Sequence, residues 1–251
     1  MSNNAFMLRR IFHAAPLTSG KESTLTGGSA NHLGKVLRLR ENDAVILFNG
    51  DGLDYTARII SVTRQEVVVL VGAGADPETE SPINVSLLQG ICRNQRMDLL
   101  IQKSTELGIQ SIQPILTERS VIRLTGERAE KKLAHWRNIA ISACEQSRRA
   151  RIPDIRRPES VATACERLGK TTTRLVLDPA GDDIPETTIR SASSIALLVG
   201  PEGGLTDTER ETASSAGFGR VRLGPRILRT ETAPLAALSI LQYLSGDFSR
   251  R

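Results

Sequence analysis

The hydrophobic pattern changes in character near residue 83, and the longer C-terminal part alternates between two kinds of segment. Short apolar runs bounded by turn residues are typical of buried strands, and Ile195–Val199 is the clearest of them. Between such runs, apolar residues recur at helical spacing. This alternation predicts an α/β domain with a mostly parallel sheet covered by helices. The predicted strands are 83–89, 112–116, 175–177, 195–199 and 220–223, and the predicted helices are 96–108, 127–149, 161–168, 206–217 and one beginning near residue 234.

The first 72 residues have a different pattern, in which short strand-like runs are separated by tight turns. Asn49–Gly52 lies between two of these runs and is a hairpin signal. Residues 31–40 have helical spacing instead. Short strands with tight turns over this length predict a compact β-barrel. The predicted strands are 44–48, 55–61 and 67–71.

Residues 73–82 are predicted to be a linker, because they combine Gly, Pro, Ser and three acidic residues without apolar periodicity. The expected domains are therefore residues 1–72 and 83–251. These two domains carry formal charges of +2 and +6, whereas the linker carries −3. The chain as a whole has a net charge of +5 and a pI of about 9.4. This excess indicates an acidic partner, with nucleic acid as the leading candidate.

Cysteine usage and hydropathy restrict the class of protein further. The three cysteines, Cys92, Cys144 and Cys165, are far apart and form no CxxC motif, so neither a zinc site nor a disulfide framework is indicated. No apolar run approaches the length of a membrane span. The first residues lack the apolar core of a signal peptide. We therefore expect a cytoplasmic protein without a metal and without membrane attachment.

Two loops in the C-terminal domain are predicted to lie at the same end of the sheet. The first, Gly200–Gly204, follows the strand 195–199, and the second, Gly224–Glu231, follows the strand 220–223. Ligands of α/β folds bind at the carboxyl ends of strands. A single glycine is more often only a turn with positive φ, but two such loops together favour a binding site. Thr206 and Glu209 fit a capping box, which predicts that a helix begins after the first loop.

The strings LLVGPEGGLT (197–206) and LGPRILRTETA (223–233) resemble the 16S rRNA uridine-N3 methyltransferase family, a branch of the knotted SPOUT methyltransferases. Further strings at 32–59, 102–109, 118–121 and 145–149 resemble the same family. The resemblance implies an N-terminal PUA-like RNA-binding β-barrel, a SPOUT-type α/β domain with a C-terminal trefoil knot, and a homodimer. Two departures are Leu205, where an aromatic residue is expected, and Ser104, where Ala is expected.

The same resemblance implies that S-adenosylmethionine donates a methyl group to N3 of a uridine in 16S rRNA. Uridine N3 carries a proton and is a poor nucleophile until that proton leaves, so a cation and a carboxylate are needed nearby. Arg229 is the candidate for the cation and Glu231 for the base, although a carboxylate there could instead cap the last helix. The expected cofactor contacts are Leu177, Gly200, Glu202, Gly203, Leu223, Gly224, Ile227, Leu228 and Thr232.

Basic residues are expected to contact 16S rRNA within the assembled or assembling small subunit, because phosphate neutralisation supplies much of the affinity for nucleic acid. A solvated charged face is the alternative for each of them. Two other functions stay open from the sequence: a ribose 2′-O-methyltransferase acting on tRNA or rRNA, and a non-catalytic RNA-binding protein. The expected RNA contacts are Arg9, Arg10, Lys35, Arg38, Arg93, Arg96, Lys103, Arg148 and Arg149.

Overall fold

The computed structural model describes residues 8–28, 39–120, 122 and 124–249, apart from the side chain of Asn94. The chain divides into two compact units. One comprises Met1–Glu80 together with Cys144–Ile152, and the other comprises Ser81–Ala143 together with Pro153–Arg251. The segment 144–152 therefore groups with the first unit, whereas the sequence placed it in the C-terminal domain. Its apolar spacing continues that of the preceding helix, so no local pattern marks the change.

The first unit is built on a five-stranded sheet in the order β1-β3-β4-β5-β2. β1 pairs with β3 in parallel, and the other pairs are antiparallel. Side chains of β4 and β5 alternate between the buried and the exposed face, as expected for a sheet with one face on a core. The three predicted strands are confirmed. Residues 31–38 of the predicted helix 31–40 lie outside the described residues, and residues 39 and 40 are not helical. The strands are β1 Arg10–Phe12, β2 Glu22–Thr26, β3 Ala44–Phe48, β4 Asp54–Val62 and β5 Glu66–Ala75.

Arg10 is buried in the first unit, with 3% of its side chain exposed. Its guanidinium donates two hydrogen bonds to the Asp54 carboxylate, from Nη2 to Oδ1 at 2.6 Å and from Nε to Oδ2 at 3.0 Å. It also donates to the main-chain oxygens of Cys144 (2.7 Å) and Arg149 (3.1 Å) and lies 4.4 Å from the centre of the Phe48 ring. The prediction that Arg10 contacts RNA is corrected, because these partners occupy the fork that a phosphate would need.

Arg149 is also buried, with 5% of its side chain exposed. Its Nη2 and Nε donate to Oε2 of Glu80 at 2.7 and 3.2 Å, and the other oxygen of that carboxylate accepts from the main-chain N–H of Arg151 at 3.0 Å. Arg149 therefore anchors the segment 144–152 within the first unit, and its predicted contact with RNA is corrected in the same way. A run of adjacent arginines in the sequence does not distinguish a buried ion pair from a phosphate contact.

The second unit is built on a seven-stranded sheet in the order β12-β10-β11-β6-β7-β8, with β9 also paired to β7. Each pairing among its described residues is parallel, which confirms the predicted α/β class. Buried on both faces, its central strands are continuous apolar runs rather than alternating ones. The strands are β6 Asn84–Gly90, β7 Ser111–Leu116, β8 Asp154–Ile155, β9 Glu159–Ser160, β10 Thr173–Asp182, β11 Ser194–Val199 and β12 Gly219–Val221.

Six helices are described beside these strands. The capping box predicted from Thr206 and Glu209 is confirmed, since the Thr206 hydroxyl accepts from the N–H of Glu209 at 3.3 Å and the Glu209 carboxylate accepts from the N–H of Thr206 at 2.8 Å. The last helix begins two residues before the predicted Pro234. The helices are α1 Asn94–Glu106, α2 Gly126–Ser147, α3 Val161–Glu166, α4 Glu186–Ser191, α5 Asp207–Ser215 and α6 Thr232–Leu244.

We predict that Arg10→Ala lowers the free energy of unfolding by about 3 kcal/mol, because the partly buried Asp54 carboxylate and two buried main-chain oxygens would lose their partner. Urea unfolding measures the change. The neighbouring exposed Arg9 provides the control, and Arg9→Ala should shift stability by about 0.5 kcal/mol or less. If Arg10→Ala leaves the unfolding midpoint unchanged and weakens RNA binding instead, the structural role is wrong.

Candidate active site

A cavity of about 410 Å³ lies in the second unit, at the carboxyl ends of β10, β11 and β12. Two loops form most of its wall. The glycine loop, residues 200–205, follows β11, and the arginine loop, residues 222–231, connects β12 to α6. Of the predicted site residues, Leu177, Gly200, Glu202, Leu223, Gly224, Ile227, Leu228 and Arg229 line the cavity, whereas Gly203, Glu231 and Thr232 are not among the residues found to line it.

Buried hydrogen bonds join the two loops to each other at the end of β6. The main-chain oxygen of Gly200 accepts from the Thr230 hydroxyl at 2.8 Å and from Nε2 of Gln89 at 3.4 Å. Gln89, fully buried, also donates to the Thr230 hydroxyl oxygen at 3.1 Å. The Thr230 hydroxyl therefore links the two loops directly, and the Gln89 side chain of β6 contacts both. Gln89 was not predicted as a site residue.

Gly90 follows Gln89 and lies directly against the glycine loop. A Cβ at this position would lie 2.5 Å from the main-chain nitrogen of Pro201 and 2.9 Å from the main-chain carbon of Gly200. Both neighbours are backbone atoms, which cannot rotate out of the way. Position 90 therefore requires glycine, and this close approach is what seats the loop on the sheet.

Arg119 holds the glycine loop from the side of the loop that follows β7. Its Nη1 donates to the main-chain oxygens of Gly203 at 3.0 Å and Leu205 at 3.4 Å. A Cβ on Gly203 would lie 3.1 Å from Cβ of Arg119. The absence of a side chain at Gly203 thus accommodates Arg119, and the predicted cofactor contact of Gly203 stays a prediction.

Glu202 projects from the glycine loop into a cluster with α1. Its Oε1 accepts from the main-chain N–H of Arg93 at 3.1 Å and from Nη1 of Arg96 at 3.0 Å. Partial burial on its own would raise the pKa of Glu202, but these hydrogen bonds and the charge of Arg96 outweigh it and hold the pKa below its usual value. Arg96, predicted to contact RNA, is thus engaged by a carboxylate of the cavity wall.

Glu231 occupies the N-cap position of α6, yet its side chain makes no capping hydrogen bond. The alternative of a simple helix cap is therefore not realised. Its Oε1 lies 3.6 Å from Nε of Arg96, and 14% of the side chain is exposed. Oε2 is buried and has no hydrogen-bond partner among the described residues. Glu231 is therefore held near α1 by one long contact and not by a helix cap.

Asp178 is a lining residue that the sequence analysis missed, although it directly follows the predicted strand 175–177. Its oxygens accept from Nε of Arg220 at 3.0 Å and from the main-chain N–H of Ala180 at 2.9 Å. Burial on its own would raise the pKa of Asp178, but these hydrogen bonds lower it below the usual value. Its position at the carboxyl end of a strand was the signal that could have identified it.

The remaining residues predicted to contact RNA differ in how exposed they are and in whether they form ion pairs. Arg9 and Arg93 are exposed, and Lys103 forms an ion pair with Glu106 at 2.7 Å. Arg148 is half-buried at a φ of 66°, and it has interactions of its own. Lys35 and Arg38 lie outside the described residues.

The described part of the chain offers neither a metal site nor a membrane-spanning helix. It contains no cluster of three or more His, Cys, Asp or Glu side chains able to hold a metal ion. None of its helices is both long and apolar enough to cross a membrane. The three cysteines are buried, and burial raises the pKa of Cys92 and of Cys144 to about 12.

Family models match both parts of the chain. An RNA methyltransferase domain matches residues 79–242, and an RNA methyltransferase PUA domain matches residues 25–71. Ribosomal RNA small subunit methyltransferase E from Buchnera aphidicola is 34% identical, over 96% of this chain and 98% of its own. The protein of the same name from Bacillus subtilis is 34% identical, over 89% and 92%.

Solved structures with the same fold include two with a bound ligand. Ribosomal RNA small subunit methyltransferase E from Neisseria gonorrhoeae, bound to S-adenosylmethionine, superposes with a TM-score of 0.90 at 39% identity, over 96% of this chain and 99% of that one. A methyltransferase from Legionella pneumophila with bound S-adenosylmethionine gives a TM-score of 0.90 at 37% identity and the same coverage.

We predict that Gly90→Ala displaces the glycine loop and weakens binding of S-adenosylmethionine, the cofactor implied by the sequence. Overpacking against backbone costs about 1–3 kcal/mol, so the affinity measured by calorimetry should fall about ten-fold or more. Gly169→Ala is the matched control, since its Cβ would meet just one atom, the Thr172 hydroxyl oxygen, at 3.4 Å. Equal affinities for the wild type and Gly90→Ala would show that this contact does not shape the cofactor site.

Proposed function

The chain belongs to the family of ribosomal RNA small subunit methyltransferase E, and we propose that it methylates N3 of a uridine in 16S rRNA. It is an S-adenosylmethionine-dependent rRNA methyltransferase. The observation that carries the finer assignment is the arginine loop, which brings Arg229 to the cavity and places Glu231 one residue after Thr230, the anchor of the loop. A small-subunit rRNA as substrate also agrees with the basic charge of the chain and with action in the cytoplasm.

The cavity suits S-adenosylmethionine in size and in lining. Its volume of about 410 Å³ falls within the range of small-molecule sites. Leu177, Leu223 and Leu228 supply apolar walls, and the main chain of both loops offers hydrogen-bonding groups beside them. When bound there, the cofactor supplies an electrophilic methyl group on a sulfonium.

Methyl transfer forms a bond from uridine N3 to the methyl carbon, breaks the bond from that carbon to sulfur, and releases the N3 proton. We assign the proton to Glu231, whose Oε2 is buried and has no partner among the described residues. Arg229 is exposed on the cavity wall and has no carboxylate partner in the described part of the chain, so its charge is available to the developing uridine anion. The two loops hold these groups in position, which is a large part of such catalysis.

We also propose the finer features of the fold that the resemblance implies. The match of residues 25–71 to a PUA model supports an RNA-binding barrel in the first unit. The strand order β12-β10-β11-β6, with α6 packed against β11 and α1, supports a C-terminal segment threaded as a trefoil knot. We keep 1–72 and 83–251 as the proposed boundaries of the RNA-binding domain and the methyltransferase domain. The compact units differ from them mainly in the segment 144–152.

A homodimer formed through the outer face of α6 is the proposed assembly. Ala236, Ile240 and Tyr243 follow one another at helical spacing along that face, and 59% of Tyr243 is exposed. Leu99 on α1, which packs against α6, is also exposed, as is Phe248 after the helix end. An apolar surface of this kind favours association, and a second copy covers it with the same residues.

The nucleoside composition of 16S rRNA tests the proposed reaction. A strain that lacks the gene should lose 3-methyluridine from 16S rRNA, and the purified protein with S-adenosylmethionine should restore it. Loss of a 2′-O-methylated nucleoside instead would favour the ribose methyltransferase, and failure to bind S-adenosylmethionine at millimolar concentration would favour a non-catalytic RNA-binding protein.

We predict that Arg229→Ala lowers the single-turnover rate at saturating RNA and cofactor by about 10²–10³-fold, as is typical for loss of one electrostatic group. RNA affinity should change little, because one contact among many is removed. Arg229→Lys should recover part of the rate, because a point charge does not reproduce the planar guanidinium. A normal rate for Arg229→Ala on bound RNA would make Arg229 an RNA anchor or a structural residue.

We predict that the pair of changes Ile240→Glu and Tyr243→Glu yields a monomer, because two carboxylates would be buried without partners in the proposed interface. Analytical ultracentrifugation at micromolar concentration measures the mass. Leu70→Glu, at an exposed apolar residue of the first unit, is the control and should stay dimeric. A wild-type monomer would exclude the proposed assembly.

A further inference from the structure

Five arginines line the cavity, and their partners divide them into two groups. Arg96 is paired with Glu202, Arg210 with Asp207, and Arg222 with Asp183. Arg226 and Arg229 have no carboxylate or other side-chain partner among the described residues. The wall therefore presents two uncompensated cations, and both come from the arginine loop.

The position of Arg226 in the arginine loop makes it accessible to a large ligand. Gly224 adopts a φ of +70°, which turns the chain outward, and Arg226 and Ile227 that follow are exposed, Ile227 to 84%. The C-terminal end of the same loop is fixed, because the oxygen of Arg229 accepts hydrogen bonds from the N–H groups of Thr232 and Ala233 at 2.9 Å each. Arg226 therefore lies in the exposed middle of the loop, whose C-terminal end is held by main-chain hydrogen bonds.

The chemistry of the two substrates decides which one needs this second cation. S-adenosylmethionine carries a sulfonium and an ammonium beside a single carboxylate, so its net charge is positive. Two uncompensated arginines beside it are therefore unfavourable unless further anions arrive with the other substrate. One such anion is the uridine ring after loss of its N3 proton, and Arg229 is assigned to it. The other is the RNA backbone, whose phosphates are matched by the planar fork of a guanidinium.

We propose that Arg226 binds a backbone phosphate of the nucleotide being methylated or of its direct neighbour, and so positions the base over the cavity. This inference rests on the proposed function and adds a residue that holds the substrate. Arg226 and Arg229, three residues apart in one anchored loop, then hold the backbone and the base of the same region of RNA. Since a phosphate contact carries no sequence information, Arg226 sets register and leaves the choice of base to other groups.

The test compares Arg226→Ala with two controls by filter binding of 16S rRNA at several salt concentrations. Loss of one phosphate contact should flatten the slope of log affinity against log salt by about 0.7–0.9. Arg190→Ala removes the same charge from an exposed ion pair with Glu186, outside the residues that line the cavity, and should keep the wild-type slope. Ile227→Ala leaves the charge of the loop intact and should also keep the slope.

Calorimetry with S-adenosylmethionine on the same variants separates the possible failures. An unchanged cofactor affinity in Arg226→Ala together with a flatter salt slope supports the proposal. An unchanged slope with lost cofactor affinity would overturn it and assign Arg226 to the cofactor carboxylate. A slope flattened equally by Ile227→Ala would attribute the effect to loop conformation, which also overturns it. A wild-type protein that binds rRNA but neither binds the cofactor nor methylates would refute the proposed function instead.

Discussion

The position of the glycine loop is the constraint on which the catalytic half of the molecule depends. Three elements hold it: Gln89 and Gly90 at the end of β6, Thr230 in the arginine loop, and Arg119 after β7. Hydrogen bonds to buried main-chain oxygens are individually worth about 1 kcal/mol, but leaving such an oxygen unpaired costs more. Since Thr230 bonds to the oxygen of Gly200 and to Gln89, moving the arginine loop away would break its direct bond to the glycine loop and its bond to β6. The two walls of the cavity are therefore positioned as one unit.

The environment of each arginine, and not its position in a basic run, decides what it does. Arg10 and Arg149 are enclosed by carboxylates and main-chain oxygens, and their guanidinium groups stabilise the first unit. Arg96 and Arg119 donate hydrogen bonds to the glycine loop, to the Glu202 carboxylate and to the Gly203 oxygen respectively. Arg226 and Arg229 remain, and they are the two that extend from a loop at the ligand end of the sheet. A phosphate that binds an unpaired arginine breaks no existing interaction. A phosphate that binds an arginine of a buried ion pair must first break that pair, which costs free energy.

Local patterns in the sequence predicted what local physics determines. The capping box at Thr206 and Glu209, the buried run 195–199 and each of the two loops depend on residues within a few positions of each other, and all are present. The partners of Gln89, Arg96 and Arg119 lie about 85 to 140 positions away, so no spacing rule reveals them. The same holds for Arg10 and the segment 144–152. Gly203 shows the limit best, because the group that packs against it is Arg119, a residue 84 positions away.

Glu202 and Glu231 both lie near Arg96, but Glu202 is the closer of the two, and this difference bears on the proposed base Glu231. Glu202 takes the shorter contact at 3.0 Å and adds a main-chain N–H, whereas Glu231 lies 3.6 Å away and keeps a buried oxygen without a described partner. Because the pKa of Glu202 is held below its ordinary value of 4.5, its pairing with Arg96 is complete above about that pH and is lost as the pH falls through the lower folded-state pKa. Around neutral pH, Glu202 is therefore always ionised and neutralises Arg96. Arg96 thus contacts Glu202 more closely than Glu231, and the proposed base keeps one buried oxygen without a described partner.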